Sequence, residues 1–144
     1  MNLRNLKYLG AASALFTLIA CASSPDAERA ELRATVQGAR MLADEVTSWR
    51  EAVPANVTSE TIDTVLAFKE RADDILGRLE GFDASVTAGA DLSDLEHSLA
   101  ALSQFETDRI QEASAEARGS LLDQFASLAD SVRDSASRVA VELA

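Results

Sequence analysis

Residues 59–82, SETIDTVLAFKERADDILGRLEGF, carry the widest apolar face in the chain. Hydrophobic side chains recur here at steps of three and four residues, the spacing that places them on one side of an α-helix. They are Ile62, Val65, Leu66, Phe68, Ala72, Ile75, Leu76, Leu79 and Phe82. The pattern predicts a helix capped by Thr58 or Ser59. It ends near Glu80, where Gly81 supplies the backbone freedom typical of a helix end. Because this face is so wide, we expect the helix to be central.

A second amphipathic helix is predicted upstream, over residues 27–52. Its apolar stripe is narrow and rich in alanine, and Arg50 occupies the one position that interrupts it. The stripe consists of Leu32, Val36, Ala39, Ala43, Val46 and Val53. Pro54 ends the helix, because proline disfavours the helical conformation in the residue before it. Trp49 lies beside the stripe, and we expect it to pack against the following turn; the alternative is an exposed anchor for a protein interface.

The C-terminal part of the chain carries an apolar face that is clear at both ends and thin in the middle. Ser93 and Glu96 have the spacing of a capping box at the start of a third helix. The clear positions are Leu92, Leu95, Leu99 and Leu102, then Leu121, Phe125, Leu128, Val132 and Val139. Between Ser103 and Ser120 the face thins to Phe105, Ile110 and alanines. The break between helices, if there is one, falls in this region.

Gly119 has two interpretations. As the end of a third helix, it predicts four helices in an all-α, up-down four-helix bundle. Alternatively, one helix runs from about 92 to 141, because Leu92 and Val139 are 47 residues apart, which is close to 13 helical turns. That alternative gives a long antiparallel helical hairpin, or a three-helix bundle with one long C-terminal helix. We favour the four-helix bundle, because it covers more of the wide face of the second helix.

The charge of the chain restricts its partners. Its 144 residues, a length typical of one domain, include 24 acidic and 13 basic residues. All the acids lie after position 21, whereas Arg4 and Lys7 lie before it, so residues 21–144 carry 11 basic groups and a net charge of −13. Binding to phosphate needs a basic surface. We therefore expect no nucleic-acid partner.

The N-terminus has the pattern of an export signal. Arg4 and Lys7 precede the uncharged apolar run GAASALFTLIA, residues 10–20. A basic start followed by a run of this length is typical of a secretory signal peptide, and the run is shorter than the roughly 20 apolar residues of a transmembrane helix. Cys21 follows at once and is the only cysteine, so no intramolecular disulfide can form.

Leu18-Ile19-Ala20-Cys21 resembles the lipobox of bacterial lipoproteins, which is a leucine, two smaller residues and a cysteine. Ile19 is bulkier than the residue usual at its position. The resemblance implies cleavage before Cys21, a diacylglyceryl group on its sulfur and, in many bacteria, acylation of the new amine. Acyl chains on Cys21 then anchor the protein in the membrane. Ala22, in place of a retaining aspartate, implies the outer membrane, with the protein facing the periplasm.

The resemblance and the helical patterns together predict the domain layout. Residues 1–20 form the lipoprotein signal peptide, residues 21–26 the lipidated cysteine and a short tether, and residues 27–144 an acidic helical domain. The chain ends in VELA and lacks the terminal lysine through which the murein lipoprotein is linked to peptidoglycan. We therefore expect no covalent peptidoglycan link of that kind.

No group of residues predicts catalysis. His97, the only histidine, has the spacing to Asp94 that di-iron bundles use, but those sites need two Glu-x-x-His motifs. Asp73 and Asp74 lack the spacing of a calcium loop. We expect no enzyme, no catalytic residue, no cofactor and no metal site. The favoured function is a structural or protein-interaction lipoprotein with an unidentified envelope partner. The alternative is a small periplasmic module that binds a ligand or cation in the helical interior or at residues 82–90.

Overall fold

The computed structural model describes residues 24–53 and 57–144. In this part the chain is all-helical, with about 80% of its residues in helices and no strand, which confirms the predicted class. The five helices are α1 (Pro25–Ala52), α2 (Ser59–Glu80), α3 (Ser93–Ser103), α4 (Asp108–Glu112) and α5 (Ala115–Glu142). The predicted signal peptide, Cys21 and Pro54 lie outside the described residues. Within the described residues, none of the helices has the length and apolar content needed to cross a membrane.

Helix α1 begins two residues before the predicted start at 27. The Ser24 hydroxyl accepts a hydrogen bond from the Ala27 amide at 3.2 Å, and Pro25 occupies the first turn, where its missing N–H costs nothing. Asp26 therefore belongs to the helix rather than to a tether. The predicted stripe is buried from Leu32 to Val46, and Leu42, which the pattern omitted, is fully buried as well.

Helix α2 begins and ends where the pattern predicts. Thr58 caps it in a reciprocal capping box, in which each threonine hydroxyl of the pair Thr58 and Thr61 accepts a hydrogen bond from the other residue's amide. Gly81, however, has a right-handed φ of −80°, so the expectation that it supplies a special conformation is wrong. Among residues 24–53 and 57–144, the glycine with positive φ is Gly89, at 86°, in the segment that joins α2 to α3.

The expectation that α2 is central is also wrong. Leu66, on its wide apolar face, is 45% exposed. The most extensive helix pair is α1 with α5, which carry the narrower faces. Both helices have buried alanines, namely Ala39, Ala43, Ala129 and Ala136. Small side chains let two helix axes approach closely, so a narrow alanine stripe supports a larger contact than its hydrophobicity suggests.

Neither interpretation of Gly119 survives in its original form. Gly119 is the fifth residue of α5, so it is not a turn. A continuous helix from 92 to 141 is wrong too, because α3 ends at Ser103 and α5 begins only at Ala115. Phe105 and Ile110, which lie in the region of the break, are nevertheless part of the core, at 8% and 0% exposure.

Helix α5 has a side-chain cap at its start, whereas α3 has none. Ser114 caps α5 by accepting a hydrogen bond from the Ala117 amide. The capping box predicted for Ser93 and Glu96 is absent at the start of α3. Instead, the Asp91 carboxylate accepts hydrogen bonds from the Ser93 amide at 3.0 Å and the Ser93 hydroxyl at 2.6 Å.

Side-chain bonds define two ends of the helical domain. At the proximal end, which we define as residues 24–33, 78–96 and 138–144, Arg33 donates to the Leu143 carbonyl and the Asp91 amide donates to Glu142. The opposite, distal end comprises residues 45–53, 57–64 and 104–121. Since α1 starts beside the end of α5 and finishes beside its start, where Arg50 meets Asp123, these two helices are antiparallel.

Candidate functional site

The predicted lipidation residue, Cys21, lies outside the described residues, so its modification stays a prediction. Ser24, three residues later, caps α1 at the proximal end. Any anchor at Cys21 is therefore attached beside the proximal end.

The distal end carries a groove beside Trp49, between the last turn of α1 and the first turns of α2. Trp49 is half-buried, and its ring packs edge-on against Phe68 with a centroid distance of 5.6 Å. Trp49 therefore packs on a residue of α2, rather than only on the turn that the sequence suggested. The groove has a volume of about 380 Å³. It is lined by Trp49, Ala52, Val53, Thr58, Glu60, Thr61 and Thr64, and is called the Trp49 groove below.

A second groove adjoins the first across Thr58. This Ile110 groove has a volume of about 200 Å³. It is lined by Val57, Thr58, Ser59, Ile62, Ile110, Gln111 and Arg118. Sequence reasoning missed it, because Ile110 reaches this position only after the chain leaves α3. The thin apolar face after Ser103 was the one available signal. The two grooves together surround the start of α2.

Most basic side chains of the domain are engaged in bonds between elements. Eight of the eleven basic residues after position 21 donate to a different helix or connecting segment; these are Arg29, Arg33, Arg50, Lys69, Arg71, Arg118, Arg133 and Arg138. Arg133 of α5 is the most connected, with Nε 2.9 Å from Asp44 and Nη2 2.7 Å from both Asp130 and the Thr47 hydroxyl. The surplus carboxylates consequently dominate the solvent-facing charge.

Two groups of carboxylates have shifted pKa values. A hydrogen bond from Arg71 lowers the pKa of Glu45 below its ordinary value. Hydrogen bonds from the Ser93 hydroxyl and amide likewise lower the pKa of Asp91. In contrast, burial raises the pKa of Glu96, and the neighbouring carboxylates Glu80 and Asp91 raise it further. The proximal end thus contains one carboxyl group whose ionisation the fold opposes.

The structure does not gather the residues considered for metal binding. His97 is exposed on α3, and the Asp94 carboxylate lies 3.3 Å from the Arg138 guanidinium on α5. Asp73 and Asp74 are exposed on α2. In the part of the chain that the structure describes, no three histidine, cysteine or acidic side chains form a group able to hold a metal ion.

No family model, curated protein or solved structure matches this chain. The function therefore has to be argued from its residues and their arrangement.

Proposed function

We propose that this chain is a lipid-anchored lipoprotein of the bacterial cell envelope, with a structural or protein-interaction role and no catalysis. The observation that carries the proposal is Leu18-Ile19-Ala20-Cys21, placed directly after a basic and then an apolar leader. Only Ala22 and Ser23 separate this cysteine from the cap of α1. The proposed location is the outer membrane, facing the periplasm.

The proposed architecture is an up-down four-helix bundle of α1, α2, α3 and α5, with α4 inserted before the last helix. Its support is the set of helix contacts, in which α1 packs on α2 and α5 while α3 packs on the same two helices. Two ion pairs between helices support the proposal that successive helices of the bundle run in opposite directions. Arg50 near the end of α1 bonds to Asp123 early in α5, and Arg138 late in α5 bonds to Asp94 early in α3.

The interaction role is supported by the two distal grooves. Both are open surface depressions, and an aromatic or branched aliphatic side chain forms part of each wall. Half-buried tryptophans of this kind are frequent anchors in protein interfaces. An enclosed, largely apolar cavity is the usual form of a small-molecule site. The open grooves therefore favour a protein partner over the alternative ligand-binding module.

Labelling with a radioactive fatty acid, followed by membrane fractionation, tests the anchor. We expect the wild-type protein to take up label and remain with the membranes, and Cys21→Ser to lose both properties. Ala22→Ser is the matched control, because it changes the neighbouring residue and keeps the sulfur. Equal label and equal membrane content in Cys21→Ser and wild type would refute the proposal. Ala22→Asp is expected to move the labelled protein from the outer to the inner membrane.

Cross-linking in intact cells tests the interaction role. Ala52→Arg places a long cation at the rim of the Trp49 groove, whereas Met41→Arg makes a similar change at an exposed position of the same helix. We expect a cross-linked partner that is retained with Met41→Arg and lost with Ala52→Arg. A partner retained equally by both variants would exclude the Trp49 groove as the interface.

A further inference from the structure

We propose that the domain stands end-on on the bilayer, with its proximal end at the headgroups and Trp49 farthest from them. This orientation rests on the proposed anchor at Cys21 and adds a direction to it. It assigns the proximal end to the lipid surface and leaves both distal grooves open to partners away from the membrane.

The geometry of α1 sets the distances. Three residue steps separate Cys21 from Ser24, and an extended chain of this length spans at most about 10 Å. Helix α1 then runs for 28 residues, about 42 Å at 1.5 Å per residue. Trp49 lies 25 residues beyond Ser24, so it is roughly 37 Å farther along the helix axis. A short tether at one end of a long body favours contact through that end.

The long sides of the domain lack the features that hold a helix flat on a membrane. Flat binding uses a continuous apolar face with cations beside it. Among the described residues, the exposed large hydrophobic side chains are Met41 on α1, Leu66 on α2 and Val141 on α5. They therefore lie on three different helices. Most arginines are already bonded to other elements. No side of this part of the chain therefore combines apolar surface with free cations.

The orientation also determines which carboxylates lie near the lipid. The proximal end contains nine of the 24 acids in the chain, together with four arginines. Lying flat would bring further acids to the surface, such as Glu70, Asp73 and Asp74, which are exposed along α2. Electrostatic interactions decay over about 8 Å at physiological salt. A domain that stands end-on keeps the other 15 acids of the chain, which all lie outside the proximal end, away from anionic lipid.

The orientation is measured by tryptophan quenching. The chain from Cys21, which retains the whole described core from Leu32 to Leu143, is coupled through its single cysteine to a maleimide lipid. The vesicles contain phosphatidylethanolamine with a minority of phosphatidylglycerol and a nitroxide-labelled headgroup lipid. In the wild-type protein the fluorescence comes from Trp49. The matched variant, Trp49→Phe with Val141→Trp, reports from an exposed position at the proximal end. Circular dichroism verifies that both proteins are equally helical.

We expect quenching of the tryptophan at position 141 to be several-fold stronger than quenching of Trp49. Equal quenching at both positions would show a domain lying flat, and no quenching at either would show a domain held away from the lipid. Either result overturns the end-on orientation. Because the lipid is attached chemically, the orientation is measured whether or not cells lipidate Cys21. Its failure is therefore distinct from failure of the proposed anchor.

Discussion

The Arg50 guanidinium lies 2.8 Å from the Asp123 carboxylate and joins the end of α1 to the early part of α5. A second bond runs from Arg50 Nη2 to the Gly119 carbonyl at 3.3 Å. Arg50 is the residue that interrupts the apolar stripe of α1, and its side chain is only 23% exposed. The interruption is therefore a polar contact between the two helices that pack most extensively.

Arg50→Ala is expected to destabilise the domain by roughly 1–2 kcal/mol, since it removes a charge-assisted bond to a carbonyl and the packing of a long aliphatic stem. Asp123→Ala should cost less than about 1 kcal/mol, because the carboxylate is 70% exposed and water screens such pairs. Urea unfolding of both single variants and the double variant measures the coupling. An equal loss for the two single variants would mean that the ion pair, rather than the carbonyl bond and packing, carries the contact.

Gly119→Ala is expected to stabilise the domain by roughly 0.5–1 kcal/mol, because alanine is the better helix former within a helix. A Cβ at this position meets no atom within 4 Å, so there is space for it. Gly89→Ala is the contrasting variant and should destabilise by about 1 kcal/mol, since its φ of 86° strains any residue with a side chain. The midpoints of urea unfolding, at unchanged slope, compare the stabilities of the two variants with that of the wild type. A lower midpoint for Gly119→Ala would contradict its place in α5.

Phe125→Ala is expected to cost roughly 3–5 kcal/mol, as large-to-small changes do at fully buried aromatic positions. Phe125 has no exposed surface and lies between Phe68 and Phe105, with centroid distances of 6.5 and 5.2 Å. Phe82→Ala, at a half-buried position outside the helices, should cost clearly less. Thermal unfolding followed by circular dichroism compares the stabilities of the two variants. Equal destabilisation by the two substitutions would contradict a position of Phe125 in the core.

Glu96→Gln is expected to stabilise the domain at neutral pH. The fold raises the pKa of Glu96 above its ordinary value of 4.5, so the ionised carboxylate is less favourable in the folded than in the unfolded chain. The gain should be complete above the folded pKa, decrease as pH falls through it, and vanish below 4.5, where both states are protonated. Exposed Glu70→Gln is the control. A gain for Glu96→Gln that grows on acidification would contradict the direction of the pKa shift.

Much of the fold follows from local patterns. The cap at Thr58, the end of α2 at Glu80 and the buried stripe of α1 each depend on a few neighbouring residues, and each was predictable. The path after Ser103 was not, because burial of Phe105 and Ile110 depends on the space left by the other helices. The apolar residues from Leu92 to Val139 keep a helical spacing, which predicted one continuous helix as the alternative. This prediction was wrong, because the spacing continues across a break between α3 and α5.

The candidate site was predictable only in part. Trp49 could be identified from its position beside the stripe, but its contact with Phe68 joins residues that are far apart in the sequence. The Ile110 groove combines the start of α2 with the region around α4, so no local pattern indicates it. The interhelical role of the arginines was likewise hidden, apart from Arg50 at its interrupted position.

Mass spectrometry of the protein purified from detergent-solubilised membranes is the decisive test of the lipid anchor at Cys21. We expect the N-terminal peptide to begin at Cys21 and to carry a diacylglyceryl group on the sulfur, with or without acylation of the new amine. An N-terminal peptide that begins at another residue, or one that begins at Cys21 with a free thiol, would contradict this expectation.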